Sequence, residues 1–194
     1  MSLKSAFAAY LAHPDARVAT GNLVALVLGW NTPFYPLWLR WAAGSEALPL
    51  GWLTLVVLPL FLAVPLLARR RPTLGRLWLA LVGFGNVLFC TWLFGEASGT
   101  ELFLLPCLLL PGLLFSRSEW PLLLPLLGAP LLAYYLLHGH YPAPPQEWSA
   151  DASSGMFALN AGSVGCLMAF FALLVARSPT QPTSHPVADQ RAEG

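Results

Sequence analysis

Long unbroken apolar stretches limit what this chain can fold into more than any other feature. Leu48 to Ala68, Leu77 to Phe94 and Met156 to Ala176 are built almost wholly from Leu, Val, Ala, Phe and Gly. Stretches of about 18 or more apolar residues read as helices that cross a hydrocarbon core. Composition agrees: hydrophobic residues make up 57% and charged residues 10% of the 194 positions. Soluble domains carry about a quarter charged residues, so the polar cover for a water-soluble fold is missing. The expected class is an all-α, polytopic membrane protein, and a formal net charge of +1 speaks against a nucleic-acid partner.

Six transmembrane helices are expected, over Val18–Ala43, Leu48–Ala68, Leu77–Phe94, Leu102–Phe115, Pro121–Leu137 and Met156–Ala176. Residues 95–101 (GEASGTE) and Ser116–Trp120 read as turns, and 138–155 as a longer polar loop. Residues 1–17 form a cytoplasmic N-terminal segment in which 3–13 is either a short interfacial helix or a frayed tail. The transmembrane domain is 18–177, and 178–194, rich in Pro, Ser, Thr and Gln, reads as a disordered cytoplasmic tail. With the N-terminus inside, Lys4, Arg17, Arg69, Arg70, Arg71, Arg76, Arg117, Arg177 and Arg191 are all cytoplasmic. Only Arg40 falls opposite, and the bias of Lys and Arg toward short cytoplasmic loops makes the chain N-in and C-in.

Prolines recur within the spans, at 33, 36, 59, 65, 106, 111, 125 and 130. Each removes a helix hydrogen bond and invites a kink, which either shapes packing or opens a cavity. The sixth span carries small residues every four positions: Ala158, Gly162 and Cys166, and Ala161, Gly165 and Ala169. That spacing makes a helix-packing seam, used first within the bundle and second between copies.

Polar residues within the spans are few. Asn86 and Cys90 share a face of the third span, Asn22 and Asn31 lie on the first and Asn160 on the sixth. An asparagine amide in lipid needs partners, so these residues should point inward. They serve either as glue between helices or, for Asn22, Asn86, Cys90 and Asn160, as the lining of a ligand pocket. Glu96, Glu101, His138 and His140 form the ionisable cluster of the external loops and are candidates for metal binding or proton sensing. The three cysteines, 90, 107 and 166, all lie in apolar runs and make no disulfide framework. Phosphate loops, zinc-protease and serine-hydrolase motifs are all missing from the sequence, so no enzyme is expected, and the sequence leaves the cofactor open.

Residues 95–120, GEASGTELFLLPCLLLPGLLFSRSEW, carry a recognisable pattern. A Gly-x-x-Ser-Gly turn (Gly95, Ser98, Gly99) leads into an apolar helix that ends in Leu114-Phe115 and a charged turn, Arg117 to Glu119. This resembles bacterial six-span membrane sensory input domains, which precede diguanylate cyclase, adenylate cyclase or histidine kinase output domains. Residues 178–194 hold neither heptads nor a further domain, so the resemblance implies a stand-alone sensory module. Such a module would be non-catalytic, would sit in a bacterial inner membrane and would signal to a partner protein or a second copy. A small transporter or channel, and a membrane anchor or anti-sigma-type regulator, are the alternatives.

Overall fold

The computed structural model describes residues 10–176, so residues 3–9 of the expected interfacial segment and the tail at 178–194 lie outside the described residues. The fold is all-α, with no strand among the described residues. Eight α-helices are defined there: α1 Ala16–Asn31, α2 Tyr35–Ala43, α3 Leu48–Leu53, α4 Leu58–Arg70, α5 Pro72–Phe94, α6 Leu104–Leu114, α7 Trp120–Leu137 and α8 Ala150–Ala176.

Several helices run into one another through short 3₁₀ turns. Thr32–Phe34 joins α1 to α2, and Thr54–Val57 joins α3 to α4. Pro33 and Pro36 explain the first junction and Pro59 helps explain the second, because each takes a place in a first turn where its missing N–H is not needed. The helical path tightens at these points and then continues. Ser45–Arg70, Pro72–Phe94, Arg117–Leu137 and Ala150–Ala176 are long and apolar enough to cross a membrane, and Thr100–Leu114 is an apolar helix of shorter length.

The structure moves three expected boundaries. α5 starts at Pro72, five residues before the expected Leu77, because a proline suits the first turn of a helix, and Arg76 is thereby helical. α8 starts at Ala150, six residues before the expected Met156, because Ser149 caps it: Ser149 Oγ accepts from Ala152 N at 3.2 Å. Asp151 in its first turn suits the positive end of the helix dipole. Residues 95–101, expected as a polar turn, are folded into the bundle. Gly95 and Gly99 take positive φ (78° and 74°), which lets two 3₁₀ turns, Glu96–Ser98 and Thr100–Phe103, pack inward. Ser98, Thr100 and Glu101 are all buried.

One end of the bundle gathers basic residues. The Arg76 guanidinium grips Glu119 (2.7 and 3.0 Å) and donates to the Leu114 carbonyl at 2.8 Å. Arg17 donates to the Phe115 carbonyl, and Arg76 also lies 5.0 Å from the centre of the Phe115 ring. Glu119 in turn closes a capping box with Ser116. The Leu-Phe end and charged turn noted in the sequence are therefore a staple that joins α1, α5, α6 and α7. α4 and α5 form a tight hairpin: a Cβ added at Gly75 would stand 2.6 to 2.8 Å from Ala68.

Two apolar cores fill the bundle. Toward the basic end, Val24, Val57, Phe61, Leu79, Leu110 and Phe171 pack together. Toward the other end, Leu39, Ala47, Leu93, Phe94 and Met156 form a separate core. Substituting Gly75→Ala should destabilise the protein by about 1–3 kcal/mol through overpacking, while Gly162→Ala, whose Cβ meets nothing within 4 Å, should cost nothing. Thermal unfolding of the two variants in detergent measures the difference.

Candidate functional site

A cavity of about 120 Å³ lies between the two cores, walled by Val57, Phe61, Leu110 and Phe171 of one and Cys90 of the other. Both helix junctions reach it: Thr32 from the first 3₁₀ turn and Thr54 and Val57 from the second. A third 3₁₀ turn contributes Thr100 and Phe103. Mid-helix 3₁₀ segments often mark functional hinges, and two of them, with a helix-opening 3₁₀ turn, converge on one void here. The void is widened by Gly83 at the centre of α5. Gly83 is buried, yet a Cβ placed on it would meet nothing within 4 Å.

The wall is chiefly apolar and carries no charged side chain; its polar members are Asn31, Thr32, Tyr35, Thr54, Asn86 and Thr100, with the thiols of Cys90 and Cys107. Most of the donors are already in use. Thr32 Oγ1 donates to the Leu28 carbonyl at 2.9 Å and Thr54 Oγ1 to the Gly51 carbonyl at 2.7 Å. The Tyr35 hydroxyl donates to Asn160 Oδ1 at 3.1 Å. Cys90 Sγ donates to Asn86 Oδ1 at 3.6 Å, which uses one of the two acceptor sites of that oxygen.

Four residues were grouped by sequence as a ligand pocket, and the structure separates them. Asn86 and Cys90 line the cavity. Asn160 stands behind the wall, joined to the lining residue Tyr35, and its Nδ2 donates to the buried Ser98 carbonyl at 2.9 Å. Asn22 is not among the lining residues. It lies nine positions before Asn31 on the same helical path, about 13 Å nearer the basic end. There its Nδ2 donates to the Leu11 carbonyl at 3.1 Å and holds the incoming chain.

The seam on α8 faces outward. Ala158, Gly162, Gly165, Cys166 and Ala169 are exposed and Ala161 is half-buried. Packing within the bundle, the first use expected for them, falls instead to the opposite stripe, Met156, Asn160, Val164 and Phe171. The larger side chains of that stripe fill the core, and the small ones are left at the surface.

At the end of the bundle opposite the arginines, three of the four expected ionisable residues converge. His138 Nδ1 lies 2.8 Å from Glu101 Oε2 and 4.0 Å from Glu96 Oε2, and Gly139 N donates to Glu96 Oε1 at 2.7 Å. His140 turns away, with its Nδ1 against the His138 carbonyl at 3.0 Å. No group of three His, Cys, Asp or Glu side chains suited to a metal forms among the described residues. Reasoning from sequence missed two constellations, the Arg76–Glu119 pair and the Asn160–Tyr35–Ser98 network. Glu119 beside Arg117, in a turn next to the other arginines of that end, was the available sign of the first.

The hydrogen bond that His138 donates to Glu101, reinforced by the charges of Glu101 and Glu96, raises the His138 pKa. The contact therefore adds stability below the ordinary histidine range, about pH 6.5, and loses it as pH rises through the raised value. The melting temperature of His138→Gln should fall furthest below that of the unaltered protein near pH 5.5 to 6, and the gap should close in alkaline buffer. Asn160→Leu should cost about 1–3 kcal/mol at any pH in this range, because it leaves the buried Ser98 carbonyl without its donor. Thermal unfolding measured across a pH series reads both effects.

No curated protein and no solved structure matches the chain. A family model, MASE7, matches residues 10–181, which takes in every helix described above. MASE domains are membrane-associated sensory domains of cyclases and kinases, and they are sensory modules rather than catalysts. A bundle of apolar helices with an internal cavity, matched over nearly its whole length, thus belongs to the MASE7 family.

Proposed function

We propose that this chain is a non-catalytic sensory module of a bacterial inner membrane, and that it signals to a partner protein through a change in helix packing. Six membrane passes with both termini in the cytoplasm go with this reading. Nine of the ten basic residues then lie on the cytoplasmic side, as the positive-inside bias requires. The observation that carries the reading is the position of the cavity, at the junction of two packed cores where two helical paths change their winding. Close-packed cores move as units, so occupancy of the gap between them alters how they sit against each other. The staple at the basic end passes that change to the surface a partner would meet. A transporter needs a polar path from end to end, and the apolar cores on either side of the cavity favour the sensory reading over it.

The test is to imitate occupancy. Gly83→Phe places a ring in the cavity, and spin labels at Arg71→Cys and Val175→Cys, with Cys107→Ala and Cys166→Ala, report on the basic end. The proposal expects the inter-label distance to shift by about 1–2 Å on filling the cavity. Superimposable distance distributions would overturn it. In cells, Asn86→Leu should alter the output of the partner that co-purifies with the full chain from native membranes, and full tolerance would count against the reading.

A further inference from the structure

We propose that the cavity is a binding site for a small, uncharged, lipid-soluble molecule that presents a carbonyl oxygen to the amide of Asn86. This rests on the sensory reading and gives its signal a chemical class.

Three observations limit the ligand. Size comes first. A void of about 120 Å³ is in the range of engineered cavities that take a single benzene-sized molecule. Whole phospholipids, haem and other large cofactors are too big, and an aromatic or short aliphatic body with one polar group fits.

Charge comes second. No lining residue is ionised, so a carboxylate, phosphate or ammonium would be desolvated without a counter-charge. Water is a poor occupant for a related reason, because it would satisfy Asn86 and leave most of the wall facing a polar molecule.

Donor arithmetic comes third. The hydroxyls of Thr32, Thr54 and Tyr35 already donate within the protein. Asn86 Oδ1 accepts from the Cys90 thiol, and no bond is made by Asn86 Nδ2 among the described residues. An amide N–H₂ is a donor only. Its complement is an acceptor oxygen, as in a ketone, ester or quinone. Gly83, three residues before Asn86, leaves the room for the body that carries this oxygen.

Access fits a molecule dissolved in the bilayer. Asn31 lines the cavity and is itself exposed, which sets a mouth at the surface of the bundle. Trp30 and Phe34 flank it, both exposed and with ring centres 5.9 Å apart. A neutral lipophile concentrated in the membrane meets that aromatic rim before it meets the polar end loops.

The probe is 4-fluoroacetophenone, followed by ¹⁹F NMR with the purified full chain in an ester-free detergent. Saturable binding is expected, weakened about tenfold or more by Gly83→Leu, which fills the void. Asn86→Leu should weaken it about three- to tenfold through the lost hydrogen bond. 4-Fluorobenzoate, of the same size but charged, should not bind. Equal uptake of the ketone by the unaltered chain and Gly83→Leu would overturn the proposal, as would binding of the benzoate at equal strength. Repeating the titration in phosphatidylcholine nanodiscs separates a free ligand from the carbonyl of a bilayer ester. Retained uptake supports the free molecule, and abolition by the lipid overturns it. The Gly83→Phe distance measurement needs no ligand, so a failure of ketone binding leaves the packing relay standing, and the reverse also holds.

Discussion

A backbone carbonyl buried among apolar helices needs a donor, and the Ser98 carbonyl finds one in Asn160. Much of the bundle is arranged around that contact. Ser98 belongs to the glycine-flanked turn that packs inward, so its carbonyl cannot turn to water. The Asn160 oxygen is engaged by the Tyr35 hydroxyl, which brings α2 and α8 together across 125 positions of sequence. Thr100 Oγ1 lies 3.0 Å from Ser98 Oγ and donates to Thr91 Oγ1 at 3.3 Å, which draws in α5. Gly99 completes the fit, since a Cβ there would stand 2.8 Å from the Phe157 ring. Polar groups that would each be costly alone satisfy one another.

The cavity is what remains when two cores close around such a network without merging. Proline sets the winding of both junctions, and the switch from α to 3₁₀ changes which side chains face the centre. Threonines in those turns bond back to the carbonyls three or four residues before them, so they contribute to the wall without seeking partners in the void. The result is a pocket that is chemically quiet and selective by shape, charge and the unpaired amide of Asn86. In a family of membrane-associated sensory domains, that suits recognition better than reaction.

Much of this was legible in the sequence, and the rest was hidden for definite reasons. Helical class and the positions of the turns follow from apolar run length and from Gly95, Ser98 and Gly99. The pairing of Asn86 with Cys90 follows from their spacing on one helix. Asn22 shows where such reasoning stops. Its burial was foreseeable, but its partner, the Leu11 carbonyl, belongs to a segment outside the main bundle pattern. The small residues of α8 have the spacing of a seam, and spacing alone does not say which of two stripes turns inward. Arg76 looked like one more loop arginine because its helix begins only four residues earlier. Asn86, Cys90 and the prolines hinted at a cavity, but its place had no direct sign, since a void depends on side chains from five separate helical paths failing to meet.

The close approach of Gly75 to Ala68 limits how any motion can leave the cavity. α4 and α5 are joined by Arg71 alone, touch backbone to backbone at that end, and are tied again where Trp78 Nε1 donates to the Leu60 carbonyl at 3.0 Å. A pair so clamped resists the sliding of one helix along the other. Gly83, further along α5, faces the void from the same rigid hairpin. On the proposed relay, a push delivered there would swing α4 and α5 together as one body, so the basic end would move with the whole hairpin and not by one helix sliding past the other.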